Sequence, residues 1–132
     1  VLKTRLNSLN DNLTGCLAEY KFCVAAMSKG FKISMPLLDS SPYDCILESD
    51  FKLYKIQIKH VGLNRFKGRH NSIQVSLRRT NDFYTQAEVD YFAIYFEERN
   101  GFFIIRNYQQ KSIRINSEGK YKNNFNNFDV FY

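Results

Sequence analysis

Residues 44–59 read Asp44-Cys45-Ile46-Leu47-Glu48-Ser49-Asp50-Phe51-Lys52-Leu53-Tyr54-Lys55-Ile56-Gln57-Ile58-Lys59. Two strand-like runs, Asp44 to Glu48 and Leu53 to Val61, flank Ser49-Asp50-Phe51-Lys52, whose composition suits a hairpin connection. With the turn centred there, residues equidistant from it face one another, and Asp44 stands opposite Gln57. Directly opposed residues of an antiparallel pair have α-carbons within about 5 Å, so one divalent cation can touch a carboxylate and an amide oxygen at once. Lys59 follows Gln57 by two positions and projects from the same strand face. An Asp, a Gln and a Lys thus converge at one end of a hairpin that otherwise carries Cys45, Ile46, Leu47, Ile56 and Ile58.

Upstream, Leu13, Leu17, Tyr20, Val24 and Met27 recur at spacings of four and three, the apolar stripe of an amphipathic helix over 13–27. Asp11 or Asn12 can cap its start and Gly30 its end. At about 100° per residue, Glu19 lies beside that stripe, among Cys16, Cys23 and Ala26. A carboxylate flanked by small buried residues needs a partner, which a core salt bridge or a bound cation would supply. Phe31 to Met35, Ser72 to Leu77, Tyr91 to Glu97, Phe102 to Ile105 and Lys111 to Asn116 read as further strands, with Asn100-Gly101 a hairpin turn. One long helix followed by mostly antiparallel strands predicts an α+β or mixed α/β layer architecture.

The 132 residues, 44% of them apolar and 24% charged, suit one domain spanning 1–132, with 110–132 as an extension or assembly segment. No window is apolar and long enough for a membrane span, and the first residues lack the apolar core of a signal peptide. A soluble intracellular protein with no membrane partner is therefore expected. Cys16, Cys23 and Cys45 lack metal-site spacing and cannot all pair, so they are expected to be reduced, small core residues.

The net charge of +6 suits a polyanionic partner. It concentrates between Arg65 and Arg79, where no acid interrupts the run. Arg65, Lys67 and Arg69, in or just past a glycine-flanked loop, suit phosphate contacts, since a loop follows a backbone without holding a rigid register. From Ser72 onward, Ile73, Val75 and Leu77 alternate with Gln74, Ser76 and Arg78, and Ile113 and Ile115 alternate with Arg114 and Asn116. Such side chains can read base edges from a β-ribbon in the major groove, and they equally suit the wet face of a half-buried strand.

Glu19 in the first helix, then Ser41-Pro42-Tyr43-Asp44, then Gln57-Ile58-Lys59, resembles the PD-(D/E)XK nuclease core: an acid on a helix, then P-(x)-D, then (D/E)-x-K. Gly15-Cys16-Leu17-Ala18-Glu19, Lys29-Gly30-Phe31, the 39–44 loop and Asp90-Tyr91-Phe92-Ala93-Ile94-Tyr95 are similar to a small bacterial group within it. That group includes a cyanobacterial group I intron-encoded homing endonuclease. The resemblance implies a helix packed on a mixed central sheet, with an added antiparallel ribbon for DNA contact. It implies Mg²⁺-dependent, site-specific cleavage of double-stranded DNA, with Mn²⁺ able to substitute, by a homo-oligomer (dimer or tetramer) in the bacterial cytoplasm. Asp44, Gln57 and Glu19 would be metal ligands and Lys59 the catalytic cation. Other nucleases of the same core, such as a junction resolvase, a restriction enzyme or an RNase toxin, are alternatives. Gln57 departs from the usual Glu or Asp and keeps open a domain that only binds nucleic acid.

Overall fold

The computed structural model describes residues 2–50, 52–61, 72–79 and 82–132, with side chains from residue 12 onward. Helix α1 (Leu2–Ser28) precedes seven strands: β1 (Lys32–Ser34), β2 (Cys45–Glu48), β3 (Leu53–Val61), β4 (Ile73–Ser76), β5 (Tyr91–Phe96), β6 (Gly101–Arg106) and β7 (Ser112–Ile115). Five form a sheet in the order β1-β2-β3-β5-β6, and β4 pairs with β7 in a separate two-stranded sheet. The fold is the mixed α+β arrangement expected.

Three local readings change. The helix starts well before Asp11, because Leu2, Leu6 and Leu9 continue the same spacing and leave no break at Asp11-Asn12. Its end is as expected: Gly30 takes φ +94°, and Gly30 N and Phe31 N donate to Met27 O and Ala26 O at 3.0 and 3.2 Å. The sheet's centre is parallel rather than antiparallel, β3 running alongside β5 with Gln57 beside Phe92 and Lys59 beside Ile94. Between them the chain crosses through β4 on the opposite face, and the described residues of the crossover contain no helix that would have marked it in the sequence. The β5–β6 hairpin also lacks a two-residue turn. A 3-10 turn (Glu97–Arg99) and left-handed Asn100 make the connection, and Gly101 already pairs with Phe96. Glycine is needed at 101 because a Cβ there would run into Phe125 and Asn126.

Two apolar layers hold the sheet. On one face Ala18, Phe22 and Ala26 of α1 meet Ile56, Ile58, Ala93 and Ile104. Small residues let the helix backbone approach the sheet while Phe22 fills the gap, its ring 5.3 Å from Phe102 and 5.7 Å from Phe128. On the other face the β4–β7 ribbon packs Val75, Ile113 and Ile115 against Phe92, Ile94 and Phe103. The asparagine-rich segment is built into the fold. Asn126 N donates to Phe102 O, Asn126 Oδ1 accepts from Phe102 N at 2.9 Å, and Asn124 Nδ2 donates to Ile104 O at 3.0 Å. These bonds occupy the outer edge of β6, an otherwise unpaired strand edge.

Candidate active site

The β2–β3 hairpin has the register expected, Cys45 across from Ile56 and Glu48 across from Leu53, and one further step sets Asp44 across from Gln57. Asp44 N donates to Ile56 O at 2.8 Å, extending the ladder one residue past β2. Its carboxylate then turns back and accepts from Ile58 N at 2.7 Å. Asp44 is therefore fixed by backbone at both ends, and a strand N–H that β2 no longer reaches is satisfied.

Helix α1 brings Glu19 to the same place, close enough for the two carboxyls to share a hydrogen bond. Burial, followed by the charge of Asp44, pushes Glu19 up to about 7. Burial also raises Asp44, opposed by the Ile58 N–H, the Glu19 hydrogen bond and Lys59. The hydrogen bond between them raises Glu19 and lowers Asp44, which also has the Ile58 N–H as a backbone donor. Beneath the pair, the buried thiols of Cys23 and Cys45 hydrogen-bond, which lowers Cys23 and raises Cys45. These two cysteines are core residues as expected; Cys16 is exposed instead, on the side of α1 turned from the sheet.

Lys59 is partly buried, and desolvation lowers its pKa against the opposing pull of Asp44. Its Nζ lies 5.9 Å from the centre of the Tyr84 ring. Arg79 covers the same ring at 4.9 Å and is tied to Glu88. Asn107 holds the Tyr84 loop, donating through Nδ2 to the carbonyls of Tyr84, Thr85 and Val89. Tyr84 carries no sequence signal, because a lone aromatic in a polar loop reveals nothing of its partners. Gly15, Glu19, Lys59, His60 and Ser76 line one cleft of about 390 Å³. Sequence alternation puts His60 on the other strand face from Lys59, yet both border this cleft near the C-terminal end of β3. Gln57 is half-buried on β3 and is not among the cleft's lining residues.

The polar faces of the two alternating segments form one surface, since Gln74 pairs across from Arg114 and Ser76 across from Ser112. Gln74 Nε2 donates to Ser112 Oγ at 3.2 Å, and Arg114 Nη1 donates to Ser72 Oγ at 3.4 Å. Arg78 is exposed just past β4, whereas Asn116 is half-buried, its Oδ1 accepting from Glu118 N at 3.0 Å. Arg65, Lys67 and Arg69 lie outside the described residues.

Among the described residues no cluster of three or more His, Cys, Asp or Glu is placed to hold a metal. The donors at this site are two carboxylates with an amide opposite one of them, an all-oxygen set that fits a hard divalent cation. The crowded carboxylates also have a consequence for stability. Glu19 holds a proton in the folded state, up to about pH 7, that the unfolded chain releases near its ordinary 4.5. Its contribution is thus fully present below the lower value and lost as pH rises through the upper one. Thermal unfolding of the metal-free protein should give a lower Tm at pH 8 than at pH 5, and Glu19→Gln should flatten the difference.

A model of the PD-(D/E)XK endonuclease family matches residues 9–132. Among solved structures, a bacterial homing endonuclease, I-Ssp6803I, superposes with a TM-score of 0.73 at 18% identity, covering 90% of this chain and 88% of that one. No curated protein matches at a significant level.

Proposed function

The chain belongs to the PD-(D/E)XK endonuclease family, and from that premise we propose that it is a Mg²⁺-dependent, site-specific endonuclease of double-stranded DNA, intron-encoded like a homing endonuclease. The observation that carries the reading is the convergence of Asp44, Glu19 and Lys59 at one cleft edge in a chain of this family. The fold shared with a bacterial homing endonuclease supports the homing role.

Asp44 and Glu19, with the Gln57 amide oxygen, would hold the cation. A divalent ion held there would polarise the scissile phosphate and acidify an attacking water. Lys59, poorly solvated, donates to the phosphate oxygen on which charge builds, or to that water. Asp44 keeps its orientation through Ile58 N. Gln74, Ser76, Arg78, Arg114 and Asn116 are the proposed base-reading residues. Arg65, Lys67 and Arg69 are the proposed phosphate contacts. The protein would act as one nuclease domain inside a bacterial cell. Severing both strands takes two active centres, hence a homo-oligomer, dimer or tetramer. No described helix is long and apolar enough to cross a membrane.

Gln57 supplies the test. Plasmid DNA carrying the flanks of the gene's insertion site is incubated with Mg²⁺ and either wild type or Gln57→Glu. Cleavage by wild type is expected, with Gln57→Glu reaching half-maximal rate at lower Mg²⁺ because the site gains a negative charge. Cleavage by Gln57→Glu alone would identify the wild-type chain as a binding-only domain.

A further inference from the structure

Lys59 lines the cleft, yet among the described residues no Asp or Glu comes within ion-pair distance of its Nζ. A lysine stem is flexible, so an ammonium without a fixed partner is spread over many positions. The charge of Asp44 attracts it. Asp44 is also the proposed cation ligand, however, and a divalent charge there would turn that attraction into repulsion. What remains against Lys59 Nζ is the ring of Tyr84, whose centre is 5.9 Å away, within the ~6 Å at which an aromatic face attracts a cation. The ring is itself fixed. It packs on Phe92 with centroids 6.1 Å apart, and Phe92 and Ile94 stand beside Gln57 and Lys59 in the parallel ladder, so ring and ammonium share one side of the sheet. Asn107 Nδ2 donates to the carbonyls of Tyr84, Thr85 and Val89, and Glu88 Oε1 accepts from Thr85 N and Oγ1, both at 3.1 Å, closing the turn. Arg79 covers the same ring at 4.9 Å, with Glu88 tied to it and Asp82 Oδ1 3.8 Å from its Nε. Those acids offset the repulsion that two cations at one ring would otherwise feel.

We propose that Tyr84 is the positioning residue for Lys59: the face of its ring, rather than its hydroxyl, holds the ammonium at the edge of the cleft. Tyr84 is not among the residues lining the cleft whereas Lys59 is, so the ring acts on the cation and not on the substrate. The attraction comes from the ring's quadrupole, which phenylalanine shares and an aliphatic side chain lacks. Misplacing a reacting group by about 1 Å can cost on the order of 100-fold in rate, so a support of this kind matters to the chemical step more than to binding. The proposal rests on the nuclease reading of the site, in which Lys59 donates to the reacting phosphate or to its attacking water.

One measurement needs neither metal nor DNA. In protein carrying ¹³C-labelled lysine, the Lys59 ε-methylene signal, assigned by its loss in Lys59→Arg, should move downfield in Tyr84→Leu as ring shielding is lost and stay in place in Tyr84→Phe. The signal of Lys21, which lies over Tyr95, should not move in either. The second measurement is single-turnover cleavage, with Mg²⁺, of the plasmid carrying the insertion-site flanks. Tyr84→Leu should lower the rate by roughly 10–100-fold at an unchanged half-saturating DNA concentration, and Tyr84→Phe should stay within about threefold of wild type. Lys59→Ala combined with Tyr84→Leu should be no slower than Lys59→Ala alone, because the ring acts through that lysine. Should Tyr84→Leu lose its far-ultraviolet circular dichroism spectrum, Tyr84→Met, which fills the space without a ring, must show both losses. Wild type that cuts nothing would overturn the catalytic role together with the nuclease reading beneath it. In a wild type that does cut, an unmoved Lys59 signal in the ringless variant, an undiminished rate in that variant, or a further loss in the double variant would overturn this proposal alone.

Discussion

Asp44→Asn should leave a protein that folds, binds DNA in Ca²⁺ and cuts nothing. Asparagine keeps an oxygen to accept from Ile58 N, so the hairpin end stays satisfied, while the charge that would hold the cation is gone. Alanine is a blunter probe. It also abolishes cleavage but leaves the Ile58 N–H without its acceptor, at a cost of about 1–3 kcal/mol. The difference in unfolding free energy between the two variants measures the structural role of the carboxylate, and their shared loss of cleavage measures the chemical one. Lys59→Ala should likewise lose cleavage, by about 10²–10³-fold or more, since a donor aimed at developing charge acts mainly in the transition state. Full cleavage by any of these variants would refute the assignment of the site.

Phe131→Ala should be among the most damaging single substitutions. Its ring is fully buried, 5.1 Å from Tyr91, 5.2 Å from Tyr54 and 5.9 Å from Phe31, joining β1's approach, β3 and β5 under one side chain. Truncating a buried phenylalanine costs about 3–5 kcal/mol. Set against a total of roughly 5–15 kcal/mol, that is from about a fifth to all of the stability. Urea denaturation followed by tyrosine fluorescence would show the midpoint shift. A shift equivalent to under about 1 kcal/mol would mean that the C-terminal turn is not part of the cooperative core.

The hairpin that decides the fold is legible because its alternation, its polar turn and its register are local, and Asp44, Gln57 and Lys59 follow from that register alone. Glu19 is legible as an acid beside small residues, although not its hydrogen bond to Asp44. The orientation of α1 is not legible. Helical spacing locates an apolar stripe by size, while the side packed on the sheet sets a single large residue, Phe22, among Ala18, Cys23 and Ala26, chosen for closeness rather than bulk. Nor is the parallel pairing of β3 with β5, which depends on contacts between distant segments joined through β4. Tyr84, covered by Arg79, reaches Lys59 from a loop whose course is set by Asn107, a buried amide that sequence reading treats as one polar residue among many.

The seal on β6 also bears on the order in which the protein can acquire its structure during synthesis. Translation delivers α1 before the strands, yet Phe22 and Phe31 find Phe128 and Phe131 only after a hundred further residues have left the ribosome. Until then the outer edge of β6 has neither Asn124 nor Asn126 against it, and the nascent sheet offers neighbouring chains on the same message a strand to pair with. Slowing translation around residue 124 would lengthen that vulnerable interval, so aggregation on expression would track the elongation rate there more closely than rates in the preceding codons.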